Sequence, residues 1–175
     1  MKRLRTFALI SIATFASSVA LAQNQIPQAV RAYYDKENAL TLKVDFDSLK
    51  KLRAEISTKD YVYVSKPNKA GVVTKKSRSE EDAQMDQLKS LIQSITKSTN
   101  HFDQVTLSNS TLVLVITSTG ELKTKPMGGD GKAHLISNTA KSEDTWVKVG
   151  GTWKMKSSKS ISDRMTFDGK AAPGM

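Results

Sequence analysis

The chain has 175 residues and no cysteine, and its 27 lysines and arginines against 17 acidic residues give a formal net charge of +10. Without cysteine there are no disulfides, thiolate metal ligands or lipid-modified cysteine anchor, so a packed core must hold the fold. The positive balance favours anionic partners or simply solubility. The charges are dispersed and carry no interleaved aromatics of the kind that stack on bases, so nucleic acid is not expected as a partner.

Lys2, Arg3 and Arg5 form a basic start, and an apolar run follows from Phe7 to Ala22. Ala20-Leu21-Ala22 before Gln23 has the small-x-small pattern of a cleavage site, so residues 1–22 read as a secretory signal peptide. Ser11, Thr14, Ser17 and Ser18 interrupt the run, which is also shorter than the roughly 20 apolar residues of a membrane helix. No membrane span is therefore expected after cleavage behind Ala22, and the location implied is periplasmic or secreted. The remainder is the size of one domain, placed at 23–164, with 165–175 as a flexible C-terminal tail.

Ile26 to Lys43 reads as the first helix, with Pro27 in its first turn, where a missing N–H costs nothing. Ile26, Val30, Tyr33 and Tyr34 share a face, and Asp35, Lys36 and Glu37 fall on the wetter side. Asp45 is a good N-cap for a second helix. There Phe46, Leu49, Leu52 and Ile56 recur at helical spacing, Lys50, Lys51, Arg53 and Glu55 lie outside, and Ser57 to Asp60 ends the element. Tyr61-Val62-Tyr63-Val64 is rich in strand formers. A turn at 66–71 and Val72-Val73-Thr74 complete a short hairpin, in which alternation puts Tyr61 and Tyr63 on one face. Ser79 to Ile95 reads as the third helix, with Ser79 and Asp82 as its capping box and Met85, Leu88, Leu91, Ile92 and Ile95 as its apolar stripe.

From Asn100 the period changes to two. Phe102 to Leu107 alternates, and Leu112 to Ile116 is continuously apolar, which suggests a strand covered on both faces. Pro126 to Lys132 is a glycine-rich loop. Ala133 to Val149 is a long strand, joined by Gly150-Gly151 to a partner running from Thr152 to about Arg164. Both positions of a two-residue hairpin turn need positive φ, which glycine adopts without a Cβ clash. The implied register pairs Val149 with Thr152, Lys148 with Trp153, Val147 with Lys154 and Trp146 with Met155. Trp146, Trp153 and Met155 then share one face that needs a cover. Helices first and strands last imply an α+β domain, with three helices from the N-terminal half on one face of a curved antiparallel sheet.

The order of elements resembles the NTF2-like superfamily, with its SnoaL-like and ketosteroid-isomerase-like domains. The resemblance spans residues 26 to 164. It is carried by Asp45-Phe46-Asp47-Ser48-Leu49 leading to Asp60-Tyr61-Val62, by the position of the third helix, and by the closing hairpin. In that hairpin Asp144-Thr145-Trp146-Val147-Lys148 turns into Gly151-Thr152-Trp153-Lys154-Met155. The resemblance implies a cone, in which a strongly bent sheet wraps the first helix and leaves a pocket at its open end. It also implies a homodimer through the sheet face. In the family's ketosteroid isomerases a first-helix tyrosine and an aspartate near the end of the first strand move the proton. The tyrosine falls near Tyr33 or Tyr34. The aspartate position falls near Ser65, and a serine without a base cannot replace a carboxylate that shuttles protons.

Two histidines remain, His101 in a loop and His134 at the start of the long strand. Two histidines without nearby carboxylates make no zinc site, and Gly128-Gly129-Asp130-Gly131 precedes no helix and is not a phosphate loop. Neither a cofactor nor a metal is expected. Candidate pocket residues are Tyr33, Tyr34, Tyr63, His134 and Trp146, with His134 and Tyr33 as the weak catalytic candidates. Two functions stay open. One is a non-catalytic module that binds a small apolar or carbonyl-containing molecule or docks a partner. The other is a SnoaL-like enzyme doing isomerase- or dehydratase-type acid–base chemistry on a small cyclic or carbonyl substrate. The basic stretch 66–78 adds a third reading, a surface for anionic polymers.

Overall fold

A computed structural model describes residues 25–126 and 131–171. The signal-peptide assignment and the centre of the glycine loop lie outside the described residues. Among those described, no helix is long and apolar enough to cross a membrane. Helix α1 spans Gln28–Leu42, α2 Phe46–Ile56 and α3 Arg78–Leu91. The strands are β1 (Ser57–Val64), β2 (Lys75–Lys76), β3 (Ile92–Leu107), β4 (Thr111–Thr124), β5 (Leu135–Val149), β6 (Thr152–Phe167) and β7 (Lys170–Ala171). They form one sheet in the order β2-β1-β6-β5-β4-β3, with β7 added to β6. Three helices pack on this curved, unclosed sheet, as the α+β reading expects. The sheet is mixed rather than purely antiparallel, because β1 runs parallel to β6. Strand alternation within β1 says nothing about which distant strand will lie beside it.

The closing hairpin has the register read from its sequence, from Val149↔Thr152 to Trp146↔Met155. Gly150 and Gly151 adopt φ of 57° and 82° at the turn. Bulges interrupt β5–β6 near Lys141/Ser142 and Thr145/Trp146, and three more interrupt β3–β4. An extra residue on one strand bends it and increases its twist, so these positions curve the sheet around α1. Leu112, Leu114 and Ile116 of β4 are fully buried toward the helices. They cluster with Val30, Tyr33 and Tyr34 of α1, Leu52 of α2, and Trp146 and Met155. On the opposite face Val115 is also buried and Val113 half-buried, so the centre of β4 is covered on both faces, more fully on the helix side. Phe46, Leu49, Met85 and Ile92 form a second, smaller cluster.

Several boundaries differ from the sequence reading for local reasons. Asp45 does cap α2, accepting a hydrogen bond from the Ser48 amide at 3.1 Å. The chain turns extended at Ser57 (ψ 149°), so Ser57 to Asp60 opens β1 instead of ending the helix. The capping box of α3 is Ser77 with Glu80, two residues earlier than Ser79 with Asp82. Helix α3 stops at Leu91, and Ile92 is extended and buried as the first residue of β3. Leu88 and Leu91 are exposed, so the stripe assigned to α3 divides between helix and strand. Residues 165–167, assigned to a tail, continue β6. Asp168 and Gly169, at φ 49° and 78°, then turn the chain into β7.

The cap makes a simple test. Ser77→Ala should cost about 1 kcal/mol of unfolding free energy. Ser79→Ala, which removes only a hydroxyl contact to Ser77 and no capped backbone amide, should cost about 0.5 kcal/mol or less. Equal losses in urea denaturation would contradict this boundary.

Candidate functional site

Between the helices and the inner face of the sheet lies a cavity of about 160 Å³. Helix α1 contributes Tyr33, Tyr34 and Glu37, α2 contributes Arg53, and β1 contributes Tyr61 and Tyr63. Arg78 and Glu81 enter from the first turn of α3, and Asp144 and Ser158 come from β5 and β6. The helical period explains the first group, since residues three and four apart share a face. Glu37 thus follows Tyr33 and Tyr34 into the cavity, and Arg53 of α2 meets it. Both had been placed on outer faces, where a charged side chain ordinarily goes. Here the two form an ion pair at 2.7 Å, and the Tyr33 hydroxyl donates to the same Glu37 oxygen at 3.0 Å.

On the other side, the Arg78 guanidinium pairs with Glu81 at 2.9 Å. It also donates to Ser57 Oγ and lies 3.8 Å from the centroid of the Tyr61 ring. Arg78 is thus part of the cavity wall rather than the end of a surface basic stretch. Within that stretch Lys66 is paired with Asp163, and the Lys76 ammonium donates to Gln84 and sits 5.9 Å from the Tyr63 ring centroid.

The most buried acidic group of the wall is Asp144, only 5 % exposed. Tyr34 donates its hydroxyl to Asp144 Oδ2 at 2.7 Å, and Ser158 donates to Oδ1 at 2.6 Å. The Trp146 indole in turn donates to the Tyr34 oxygen at 3.2 Å. Tyr33, Tyr34 and Trp146 meet edge to face, with centroids 5.0–5.9 Å apart. Burial raises the Asp144 carboxyl pKa above the ordinary aspartate value, while the Ser158 and Tyr34 hydroxyls pull the other way. Burial, and then the neighbouring Asp144, raise the Tyr34 phenol as well. Asp144 belongs to the hairpin motif but not to the candidate site residues read from the sequence, although a signal is present. It stands two residues before Trp146, and alternate strand residues share a face.

Of the expected pocket residues, Tyr33, Tyr34 and Tyr63 line the cavity. Trp146 lies behind it, 1 % exposed, as packing for the two tyrosines. His134 lies elsewhere. Its Nδ1 is 2.7 Å from Asp168 Oδ2, its ring packs on Phe167, and it does not line the cavity with Tyr33. His101, on β3, is exposed beside Asp103. Ser65 closes the β1–β2 loop by accepting from the Thr74 amide.

No family model and no curated protein sequence matches the chain. Solved structures do. A conserved protein from Planctomyces limnophilus superposes with a TM-score of 0.56 at 14% identity, over 75% of this chain and 91% of that one. An NTF2-like protein from Cytophaga hutchinsonii gives 0.51 at 13% identity, over 78% and 99%. A hexachlorocyclohexane dehydrochlorinase, LinA type 2, gives 0.54 at 11% identity, over 91% and 99%. The chain has the NTF2-like fold.

The buried carboxyl makes stability depend on pH with a definite sign. Unfolded, an aspartate ionises near about 3.9, and folded Asp144 holds its proton to higher pH. The folded state therefore binds more protons in that window, and the Asp144 contribution to stability falls as pH rises through it. Asp144→Asn removes that fall. Its urea midpoint should improve relative to the unaltered protein as pH increases from 4 upward, about 3.9 being the unfolded reference. A constant offset across the range would show that Asp144 titrates normally.

Proposed function

We propose that this chain is an exported, non-catalytic module whose cavity holds a small polar molecule. The observation that carries the reading is the commitment of the cavity's charged groups. Among the described lining residues, Arg53 is held by Glu37, Arg78 by Glu81, and Asp144 by two hydroxyls. A general base must reach the proton it takes at a suitable pKa, and the pairing of these groups with one another favours a structural role for them. The histidine that acid–base chemistry would have drawn on is bound to Asp168 instead. The cavity's size supports a ligand of a few heavy atoms, since an engineered void of about 150 Å³ takes up benzene. Export rests on the leader read at residues 1–22, and a homodimer through the outer sheet face belongs to the same proposal.

One observation favours the catalytic alternative. A protonated Asp144 that donates to the Tyr34 oxygen would free the Tyr34 hydroxyl to donate into the cavity, an arrangement suited to a developing oxyanion on a carbonyl substrate. In that form the chemistry would use Tyr34 and Asp144, not Tyr33 and His134. The fold does not choose, because NTF2-like structures include proteins of differing roles.

Native mass spectrometry of the protein isolated from its own cells separates these readings. The expected result is a small non-covalent adduct, retained in His134→Ala and lost when Ser142→Leu fills the cavity. A bare protein at dimer mass would overturn the ligand reading in favour of docking through the sheet face. An adduct converted to a product on incubation would favour the enzyme.

A further inference from the structure

The charges around the cavity do not balance. Arg53 and Arg78 face Glu37, Glu81 and Asp144, so when all three acids are ionised one carboxylate lacks a counter-ion. The odd group is Asp144. It accepts from the hydroxyls of Tyr34 and Ser158, and among the described residues no lysine or arginine forms an ion pair with it. A carboxylate withdrawn from water without an opposite charge is costly, and a cation placed beside it relieves the cost. The remaining wall suits such a cation. Four tyrosines line the cavity, and aromatic faces attract ammonium groups. Two of these rings already attract the chain's own cations, Arg78 at Tyr61 and Lys76 at Tyr63.

We propose that the cavity selects a small organic cation, an amine or quaternary ammonium, whose positive charge pairs with the Asp144 carboxylate. This rests on the reading of the cavity as a ligand site and names the class of ligand. An anionic ligand would add a second unmatched negative charge. A neutral one would leave Asp144 as it is. The selection is local, because the chain carries a formal net charge of +10, three of it from Lys2, Arg3 and Arg5 of the leader, and with or without them it repels cations at long range.

The test uses choline and 3,3-dimethyl-1-butanol, which have the same shape with carbon in place of the charged nitrogen. Isothermal titration of the unaltered protein should give choline at least about tenfold tighter binding, a difference of about 1.4 kcal/mol. In Asp144→Asn the two probes should bind alike. Equal or tighter binding of the neutral probe to the unaltered protein would overturn the cation while leaving the ligand site standing. A preference for choline that survives in Asp144→Asn would also overturn the assignment, since the selecting charge would lie elsewhere. If neither probe binds, the cation fails. Whether the cavity is a ligand site at all is then decided separately by the adduct in native mass spectrometry. The comparison on the unaltered chain does not depend on the variant folding.

Discussion

The structure turns on one buried hydrogen-bonded chain, from the Trp146 indole through the Tyr34 hydroxyl to the Asp144 carboxyl, closed by Ser158. It joins α1 to β5 and β6 at the point where the sheet bends around the helix. Each member is buried or nearly so, and a buried polar group without its partner is expensive. The helix therefore docks in one rotation, with Tyr33 and Tyr34 turned into the cone. Apolar packing by Val30, Leu112, Leu114 and Ile116 supplies the bulk of the core. The polar chain fixes how that core is arranged, and it leaves a charged cavity beside it.

That cavity explains an apparent mismatch between composition and site. The chain is strongly basic, yet its interior cleft carries an excess carboxylate. Arg53 and Arg78, which composition alone assigns to solvent, instead bind Glu37 and Glu81 as parts of the wall. Paired charges of this kind, partly withdrawn from water, hold their neighbours in one geometry more than they add stability. They orient Tyr33 and Tyr61 and leave Asp144 as the group whose electrostatic needs are unmet.

Much of the fold was legible because its signals are local. Gly150-Gly151 sets the register of the closing hairpin through the turn it requires, and Asp45 sets the start of α2 through its cap. The face of α1 follows from helical spacing alone. Asp168-Gly169 carries the same kind of turn signal but sits in a glycine- and lysine-rich end, where composition suggested a tail. The α3–β3 boundary was hidden because Ile92 and Ile95 continue a helical spacing that the chain abandons at Leu91. The parallel pairing of β1 with β6 joins residues 95 to 98 positions apart, beyond any local pattern. Of the site, the tyrosines were readable and the charges were not. Glu37, Arg53 and Arg78 look like solvent residues until their partners are brought opposite them, and Asp144 needed the strand register to show which way it faces.

The most direct measurement is a high-resolution crystal structure of the protein purified from its own host. The expected result is a small molecule seated against Asp144, with the Arg53–Glu37 and Arg78–Glu81 pairs undisturbed around it. A cavity holding only ordered water, with either arginine swung across to Asp144, would contradict it. The carboxylate would then have its counter-ion within the chain, and the cavity would be structural.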